Sequence, residues 1–226
     1  MRLPRAIHRW DLTPAQAVRL QRRLARQVRL ESLDAIPHRI AGLDAAFSFD
    51  GRWCLAAVVL WDAAARAVIE QRTAARPLRF PYVPGLLSFR EAPALLAALR
   101  ALRHRPDLLL CDGQGIAHPR RFGIACHLGL CADLPSVGCA KSRLIGEALD
   151  PGPKRGSGSP LVDRGETIGE LVRTRDAVRP VYVSPGHRID QAGATRVVLE
   201  CAIDYRLPEP TRLADQLVAQ FKRSRE

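Results

Sequence analysis

The alternation of apolar and polar residues predicts a helix and then three strands in the first third of the chain. Thr13 and Pro14 provide a helix start, and apolar residues then recur at helical spacing as far as Val28. Extended apolar segments follow, and the pair Asp50-Gly51 between the first two is a hairpin signal. We therefore expect antiparallel strands over residues 40–47, 53–61 and 67–73.

The apolar runs in the rest of the chain predict buried strands separated by helices. The run over 106–112 is typical of a strand that is buried on both faces. Further strands are predicted over 136–140, 161–173 and 181–184, and helices over 88–103, 120–131, 190–201 and after Pro210. This order matches the ribonuclease H-like α/β fold, in which helices flank one mixed β-sheet. We expect a single domain over 1–226, with 151–160 as a flexible surface loop rather than a domain boundary.

The charge balance favours a polyanionic partner. Lys and Arg number 35 against 23 Asp and Glu, which gives a formal net charge of +12. Nucleic acid is the first candidate and an anionic membrane surface the second. No segment approaches the ~20 apolar residues of a membrane span, and no secretory leader is visible. Six cysteines lack a C-x-x-C pair and lie mostly in apolar runs, so we expect a reduced, cytoplasmic protein that does not bind membranes.

The segment 81–91 combines a rigid aromatic residue with a carboxylate. Pro81 and Pro84 stiffen the backbone around Tyr82 and hold its ring away from the fold. Ser88 and Glu91 then stand at capping-box spacing, which predicts a helix start. A Pro-x-x-Pro is ordinarily a turn and this spacing ordinarily only a cap, so the segment gains its meaning from residues elsewhere.

Three carboxylates together predict a metal site. Asp44 lies inside an otherwise apolar strand and Asp112 ends another, while Glu91 begins a helix. Each has an ordinary interpretation, as a hydrogen-bonded core residue, a turn residue or a cap. Together they offer the hard oxygen ligands that Mg²⁺ or Mn²⁺ prefers, and a two-metal site about 4 Å across would support hydrolysis. Zinc does not fit, because the histidines and cysteines lack ligand spacing.

The residues after Asp112 suit a phosphate-bearing ligand. His118 is titratable, and Arg120 and Arg121 can bind phosphate. The glycines of this segment follow neither the P-loop nor the Rossmann spacing, which argues against a nucleotide cofactor. Lys141, one of only three lysines, follows an apolar strand, where it either faces anions or is solvated.

Several segments resemble the endonuclease V family, the deoxyinosine 3′-endonucleases of DNA repair: 81–91, 112–123, 137–144, 186–188 and 205–215. The resemblance extends from about residue 14 to 220 and implies a ribonuclease H-like fold. It also implies Mg²⁺-dependent hydrolysis, for which Mn²⁺ can substitute. The bond cleaved would be the second phosphodiester bond 3′ to deoxyinosine (hypoxanthine), leaving 3′-hydroxyl and 5′-phosphate ends.

The family motifs assign roles to five side chains. Asp44 and Asp112 would be the principal metal ligands, Glu91 would complete the acidic centre, and Asp215 would be a further ligand. Lys141 would orient water or stabilise charge on the phosphate. All but Asp215 would be catalytic.

The resemblance also implies how damaged DNA is bound. Tyr82 would fill the base stack as the damaged nucleotide leaves it. The other DNA contacts would be Pro81, Pro84, Arg90, His118, Arg120 and Arg121. Backbone groups near four residues would read the hypoxanthine edge: Gly85, Leu87, Gly113 and Ile124. The chain departs from the common family pattern at Gln114, where a His is frequent, and at Ser142, where a second lysine is common.

Two other functions remain open at this stage. The same chemistry could act on inosine-containing RNA, because both polymers present hypoxanthine. A basic module that binds nucleic acid without cleaving it would explain the charge, but it leaves the three carboxylates without a role. We expect a monomer in each case.

Overall fold

Residues 1–225 are described by the structure, a computed structural model, and they form five helices and eight strands. In chain order the elements are α1 (Pro14–Ala25), β1 (Arg39–Phe47), β2 (Trp53–Asp62), β3 (Ala67–Pro77), α2 (Leu87–Ala101), β4 (Leu108–Cys111), α3 (Ile124–Ala132), β5 (Ser136–Ala140), β6 (Gly158–Asp163), β7 (Glu166–Val172), β8 (Val181–Pro185), α4 (Gln191–Cys201) and α5 (Glu209–Arg223). All eight strands belong to one sheet, in the order β3-β2-β1-β4-β5-β8-β7-β6. The predicted ribonuclease H-like α/β fold is confirmed.

The centre of the sheet is parallel and aligns the ends of three strands. β1 pairs with β4 in parallel, and their last paired residues are Leu43 and Cys111. β4 pairs in parallel with β5, so all three strands run in one direction. Because the carboxyl ends of parallel strands meet at one edge of a sheet, residues that follow them are brought together there.

Helices cover both faces of this centre. α2 and α3 pack on one face, against the side chains of Leu43 and Leu109. α4 and α5 cover the other face. Gly42 allows α5 to approach β1 closely, since a Cβ at this position would lie 2.1 Å from the carbonyl carbon of Pro210. The start of α5 is thereby fixed against β1.

Three details differ from the sequence-based expectation. The segment 161–173 was expected to be one strand, but it forms most of a hairpin, β6 and β7, that turns at Arg164 and Gly165 with positive φ values of 55° and 79°. The predicted loop over 151–160 ends earlier, because β6 begins at Gly158. The predicted capping box of α2 is wrong: Leu86 precedes the helix without a side-chain cap, and Ser88 instead hydrogen-bonds to His127.

Other expectations hold. Thr13 caps α1 and forms a reciprocal capping box with Gln16. The six cysteines are free and buried. Among the described residues, no helix has both the length and the apolar character needed to cross a membrane.

The close approach of α5 to β1 predicts that Gly42→Ala destabilises the protein. The added methyl group would meet backbone rather than a flexible side chain, so we expect the free energy of unfolding to fall by about 1–3 kcal/mol in urea titrations. Gly152→Ala is the matched control, because its Cβ would meet only the Ser157 hydroxyl, at 3.1 Å. An equal loss in both variants would contradict the described position of α5.

Candidate active site

Three aspartates from separate elements meet at the carboxyl edge of the parallel strands. Asp44 is on β1, Asp112 directly follows β4, and Asp215 is on α5. Each offers a carboxylate oxygen, and these oxygens lie within 4.8 Å of one another. The pairing of Leu43 with Cys111 explains why Asp44 and Asp112 are adjacent, since each is one residue further along its chain.

A lysine lies against this acidic cluster. Lys141 directly follows β5, and its Nζ is 2.6 Å from Oδ2 of Asp112 and 3.4 Å from Oδ1 of Asp215. Its carbonyl oxygen accepts a hydrogen bond from Arg206 at 3.0 Å, which fixes the backbone at this point. The ammonium group of Lys141 therefore bridges two of the carboxylates.

The pKa values of the carboxylates are raised by burial first and by their mutual repulsion second. Burial and then the charges of Asp112 and Asp215 raise the pKa of Asp44 to about 7. Burial and then the charges of Asp44 and Asp112 raise the pKa of Glu91 to about 8. Burial lowers the pKa of Lys141, but its hydrogen bond to Asp112 and the nearby carboxylate charges outweigh that effect and raise it. The charge of Glu91 is thus coupled to those of Asp44 and Asp112, and the single positive charge of Lys141 does not neutralise the group.

The donor set of this cluster fits a hard divalent cation. The side chains that converge are carboxylates, whose oxygens are the ligands that Mg²⁺ and Mn²⁺ prefer. Burial and then unbalanced negative charge raise the pKa values of Asp44 and Glu91, and a bound cation would favour their charged forms. Asp44, Asp112 and Asp215, with Glu91 near them, could therefore hold such an ion.

A cavity of about 410 Å³ adjoins the acidic cluster. Asp112 and Lys141 belong to its wall, while Tyr82 and Pro84 stand at another part of it. The backbone positions expected to read a base all line this cavity: Gly85, Leu87, Gly113 and Ile124. The structure therefore brings the predicted base-reading residues, the aromatic residue and two members of the predicted catalytic group around one space.

Two glycines shape the cavity wall. Gly85 has φ +76° and Gly113 has φ +148°, a region that disfavours residues with a side chain. A Cβ at Gly113 would also lie 2.7 Å from Cγ2 of Ile124. The wall can adopt this shape because these two positions carry no side chain.

Buried polar side chains support the wall from behind. The carbonyl oxygen of Gly85 lies within hydrogen-bonding distance of Gln21 Nε2 (3.1 Å), His118 Nε2 (3.0 Å) and an Arg120 amino group (2.7 Å). Gln21 Nε2 also donates to the Phe122 carbonyl at 2.7 Å, so it joins the two sides of the cavity. Burial and the charge of Arg120 lower the pKa of His118 to about 4, so its ring is neutral near pH 7.

Of the remaining predicted DNA contacts, Tyr82 and Pro84 line the cavity, whereas Pro81, Arg90 and Arg121 do not. Tyr82 is 71% exposed. The Arg90 guanidinium lies 4.8 Å from the ring centre of Phe47 and 5.9 Å from that of Tyr82, and it donates to the Phe80 carbonyl at 2.9 Å. Pro81 and Pro84 are exposed. Arg121 pairs with Asp163 at 2.8 Å and with Glu166 at 2.7 Å. Contact of these residues with DNA stays a prediction.

Gln21 is the site residue that the sequence did not indicate. It is 1% exposed on α1, where a glutamine beside many arginines has the pattern of a solvent-exposed helix face. Its position next to Leu20, within the apolar stripe of α1, is the only signal that could have suggested burial.

The comparisons with known proteins identify the family. A sequence model of endonuclease V matches residues 22–216. The chain belongs to the endonuclease V family. The endonuclease V of Alkalilimnicola ehrlichii is 51% identical over 216 residues, which cover 95% of each protein. The crystal structure of endonuclease V from Streptomyces avermitilis superposes with a TM-score of 0.92 at 42% identity and covers 95% of each chain.

A more distant structure agrees in fold. Endonuclease V of Ciona intestinalis, crystallised with a 24mer DNA containing an inosine followed by a ribo-adenosine, has a TM-score of 0.81 at 23% identity and covers 94% of this chain and 98% of its own. The resemblance stated from the motifs is thus confirmed, and family membership makes the chain a hydrolase of the nuclease class.

The burial of Asp44 and the repulsion from its neighbouring carboxylates predict that Asp44→Asn stabilises the metal-free protein. A carboxyl whose folded pKa is about 7, against about 3.9 when unfolded, holds its proton longer in the folded state, so stability falls as pH rises through that window. Near pH 8 in EDTA we expect the variant to gain about 1–3 kcal/mol in urea unfolding, and near pH 5 only about a third of that gain.

Asp50→Asn is the control for this measurement. Its hydrogen bonds from Ser48 and Arg52 lower the pKa of Asp50 to about 2, so its charge is favourable and its loss should bring no gain. A gain for Asp44→Asn that is equal near pH 5 and pH 8 would rule out repulsion as its cause.

Proposed function

We propose that the protein is a Mg²⁺-dependent DNA repair endonuclease that cleaves the second phosphodiester bond 3′ to deoxyinosine, leaving 3′-hydroxyl and 5′-phosphate ends. The observation that carries this proposal is the acidic cluster of Asp44, Asp112 and Asp215 beside a cavity of about 410 Å³. The family membership supports it, as does the inosine-containing DNA in the Ciona intestinalis complex.

The acidic cluster would hold the metal. Asp44, Asp112 and Asp215 would supply ligand oxygens, with Glu91 as the fourth carboxylate. When bound, Mg²⁺ supplies Lewis-acid stabilisation of the charge on the reacting phosphate. Without a cation, the negative charge of these four carboxylates would repel an approaching phosphate.

Lys141 would place a fixed positive charge beside the reacting phosphate. Its raised pKa keeps the amine protonated near neutral pH. Its Nζ lies 2.6 Å from Asp112 and 3.4 Å from Asp215, so one of its three N–H groups is left to orient a water or to meet a phosphate oxygen. It would therefore stabilise charge rather than accept a proton.

The cavity would select the base. Hypoxanthine carries a carbonyl where adenine has an amine, so an N–H donor on the wall favours it over adenine. Guanine differs from hypoxanthine by an added 2-amino group, which a close wall at Gly85 or Gly113 would exclude. Flipping a nucleotide costs a few kcal/mol of unstacking, least for a mispaired base, and the exposed ring of Tyr82 would fill the gap.

A duplex with a single lesion tests for metal-dependent cleavage. With a duplex carrying one deoxyinosine opposite thymine, we expect a nick at the second bond 3′ to the lesion with Mg²⁺ and none with EDTA. Asp112→Asn should lower the cleavage rate by more than about a hundredfold while DNA binding persists, because a ligand oxygen and the partner of Lys141 are lost together.

The controls for this prediction separate its alternatives. An undamaged duplex should stay intact, and Asp176→Asn, which removes an exposed aspartate paired with Lys154, should cleave like the wild type. Full activity of Asp112→Asn would remove this residue from the metal site. Cleavage of inosine-containing RNA but not DNA would assign the protein to RNA, which differs by its 2′-hydroxyl.

The proposed role of Tyr82 can be tested by DNA binding. Since its ring would replace the flipped base in the stack, Tyr82→Ala should raise the Kd for inosine duplexes about tenfold. Binding to inosine in a single strand, which has no duplex stack to refill, should change little, and Tyr82→Phe should behave like the wild type. An equal loss on duplex and single strand would contradict the role.

A further inference from the structure

A second aromatic and basic surface lies beyond the acidic cluster, at the tip of the β1–β2 hairpin. Phe49 is 73% exposed and Trp53 is 36% exposed. Lys222 Nζ lies 3.8 Å from the ring centre of Phe49, and the Arg225 guanidinium lies 5.6 Å from that of Trp53. A hollow of about 270 Å³ lies between these four residues, which we call the hairpin patch.

The surroundings of the hairpin patch are positively charged. Arg76 and Arg223 are exposed beside it or on its elements. Asp50 also lines the hollow, but it pairs with Arg52 at 2.7 Å, so these two charges offset each other. Exposed aromatic faces flanked by cations are the chemistry that binds unpaired nucleic acid, in which bases stack on rings and phosphates meet Lys and Arg.

The hairpin patch and the acidic cluster are joined by two shared elements. β1 carries Asp44 and leads to Phe49, five residues further on, and α5 carries Asp215 and, seven residues further on, Lys222. Both connections lie on the α5 face of the sheet, where Ala46 packs against α5. At standard rises these separations are about 16 Å along the strand and about 10 Å along the helix.

We propose that the hairpin patch binds an unpaired nucleotide of the substrate strand, with its base on Phe49 or Trp53 and its phosphates at Lys222 and Arg225. At the duplex rise of about 3.4 Å per nucleotide, the patch would lie some three to five nucleotides from the reacting phosphate, and fewer along an extended single strand. This placement rests on the proposed function, whereas the stacking chemistry does not. In the free protein the cations lie over the rings, so an incoming base would displace them towards its own phosphates.

The fluorescence of Trp53 gives a test that needs no cleavage. Of the three tryptophans, Trp61 is buried and Trp10 is half-buried, whereas Trp53 is exposed and would be quenched by a stacked base. With a lesion-free 12-nucleotide oligothymidylate in EDTA, we expect quenching in the wild type and its loss in Trp53→Phe with binding retained. Phe49→Ala should raise the Kd about tenfold, and Lys222→Gln should reduce the salt slope by about 0.7.

Two control variants lie near the opposite edge of the sheet, towards β6. Leu149→Ala removes an apolar side chain that is 83% exposed, and Lys154→Gln makes the same charge change as Lys222→Gln. Both should bind like the wild type. Absence of quenching by oligothymidylate, or equal losses in the control variants, would overturn the proposal.

Cleavage assays place the patch relative to the reaction. Inosine oligonucleotides are shortened on either the 5′ or the 3′ flank of the lesion. For the wild type, the Kd should rise when one of the two flanks is shortened and stay unchanged when the other is. For Phe49→Ala, the Kd should not change further when the sensitive flank is shortened. If the wild type cleaves inosine DNA and responds to neither flank, the patch proposal is wrong while the proposed function stands. If it cleaves nothing but oligothymidylate quenches Trp53, the patch stands and the proposed function fails.

Discussion

Repulsion among carboxylates at one edge of the sheet is the constraint on which the other features of the site depend. Asp44 and Asp112 are forced together by the pairing of β1 with β4, and α5 adds Asp215. Burial and this repulsion together raise the pKa of Asp44 to about 7 and that of Glu91 to about 8, so holding these groups ionised in the folded protein is unfavourable. Lys141 offsets part of that cost, and the remaining charge is what a divalent cation would neutralise.

The fold tolerates this repulsion because the elements that carry the carboxylates are held firmly elsewhere. Gly42 lets α5 lie against β1, and Ala46 packs on the same helix further along. The cavity beside the cluster is supported in a similar way, since the Gly85 carbonyl is met by donors from Gln21, His118 and Arg120. Buried polar groups with partners stabilise a fixed wall geometry, which is what discrimination between similar bases requires.

The sequence could indicate Asp44, Asp112 and Lys141 because each is an ionisable residue within or directly after an apolar strand. Because parallel strands align their carboxyl ends, the apolar pattern also predicts that these three side chains lie close together. Asp215 came only from the family resemblance, since a helical aspartate that is half exposed resembles a surface residue. Gln21 gave no clear signal because its partners are backbone carbonyls more than sixty residues away. Ser88 was misassigned because its buried partner, His127, lies 39 residues further along the chain.

The net charge of +12 attracts a polyanion, whereas the acidic centre repels it. Both effects can coexist because the positive charges and the carboxylates lie on different parts of the surface. The carboxylates repel phosphate until a cation neutralises them, so affinity that does not depend on metal has to come from other parts of the surface. Tyr82 with Arg90 and the hairpin patch each join an aromatic ring to a cation outside the acidic cluster. Stacking and charge attraction are therefore offered by residues that are not metal ligands, and the carboxylates are left for the chemistry.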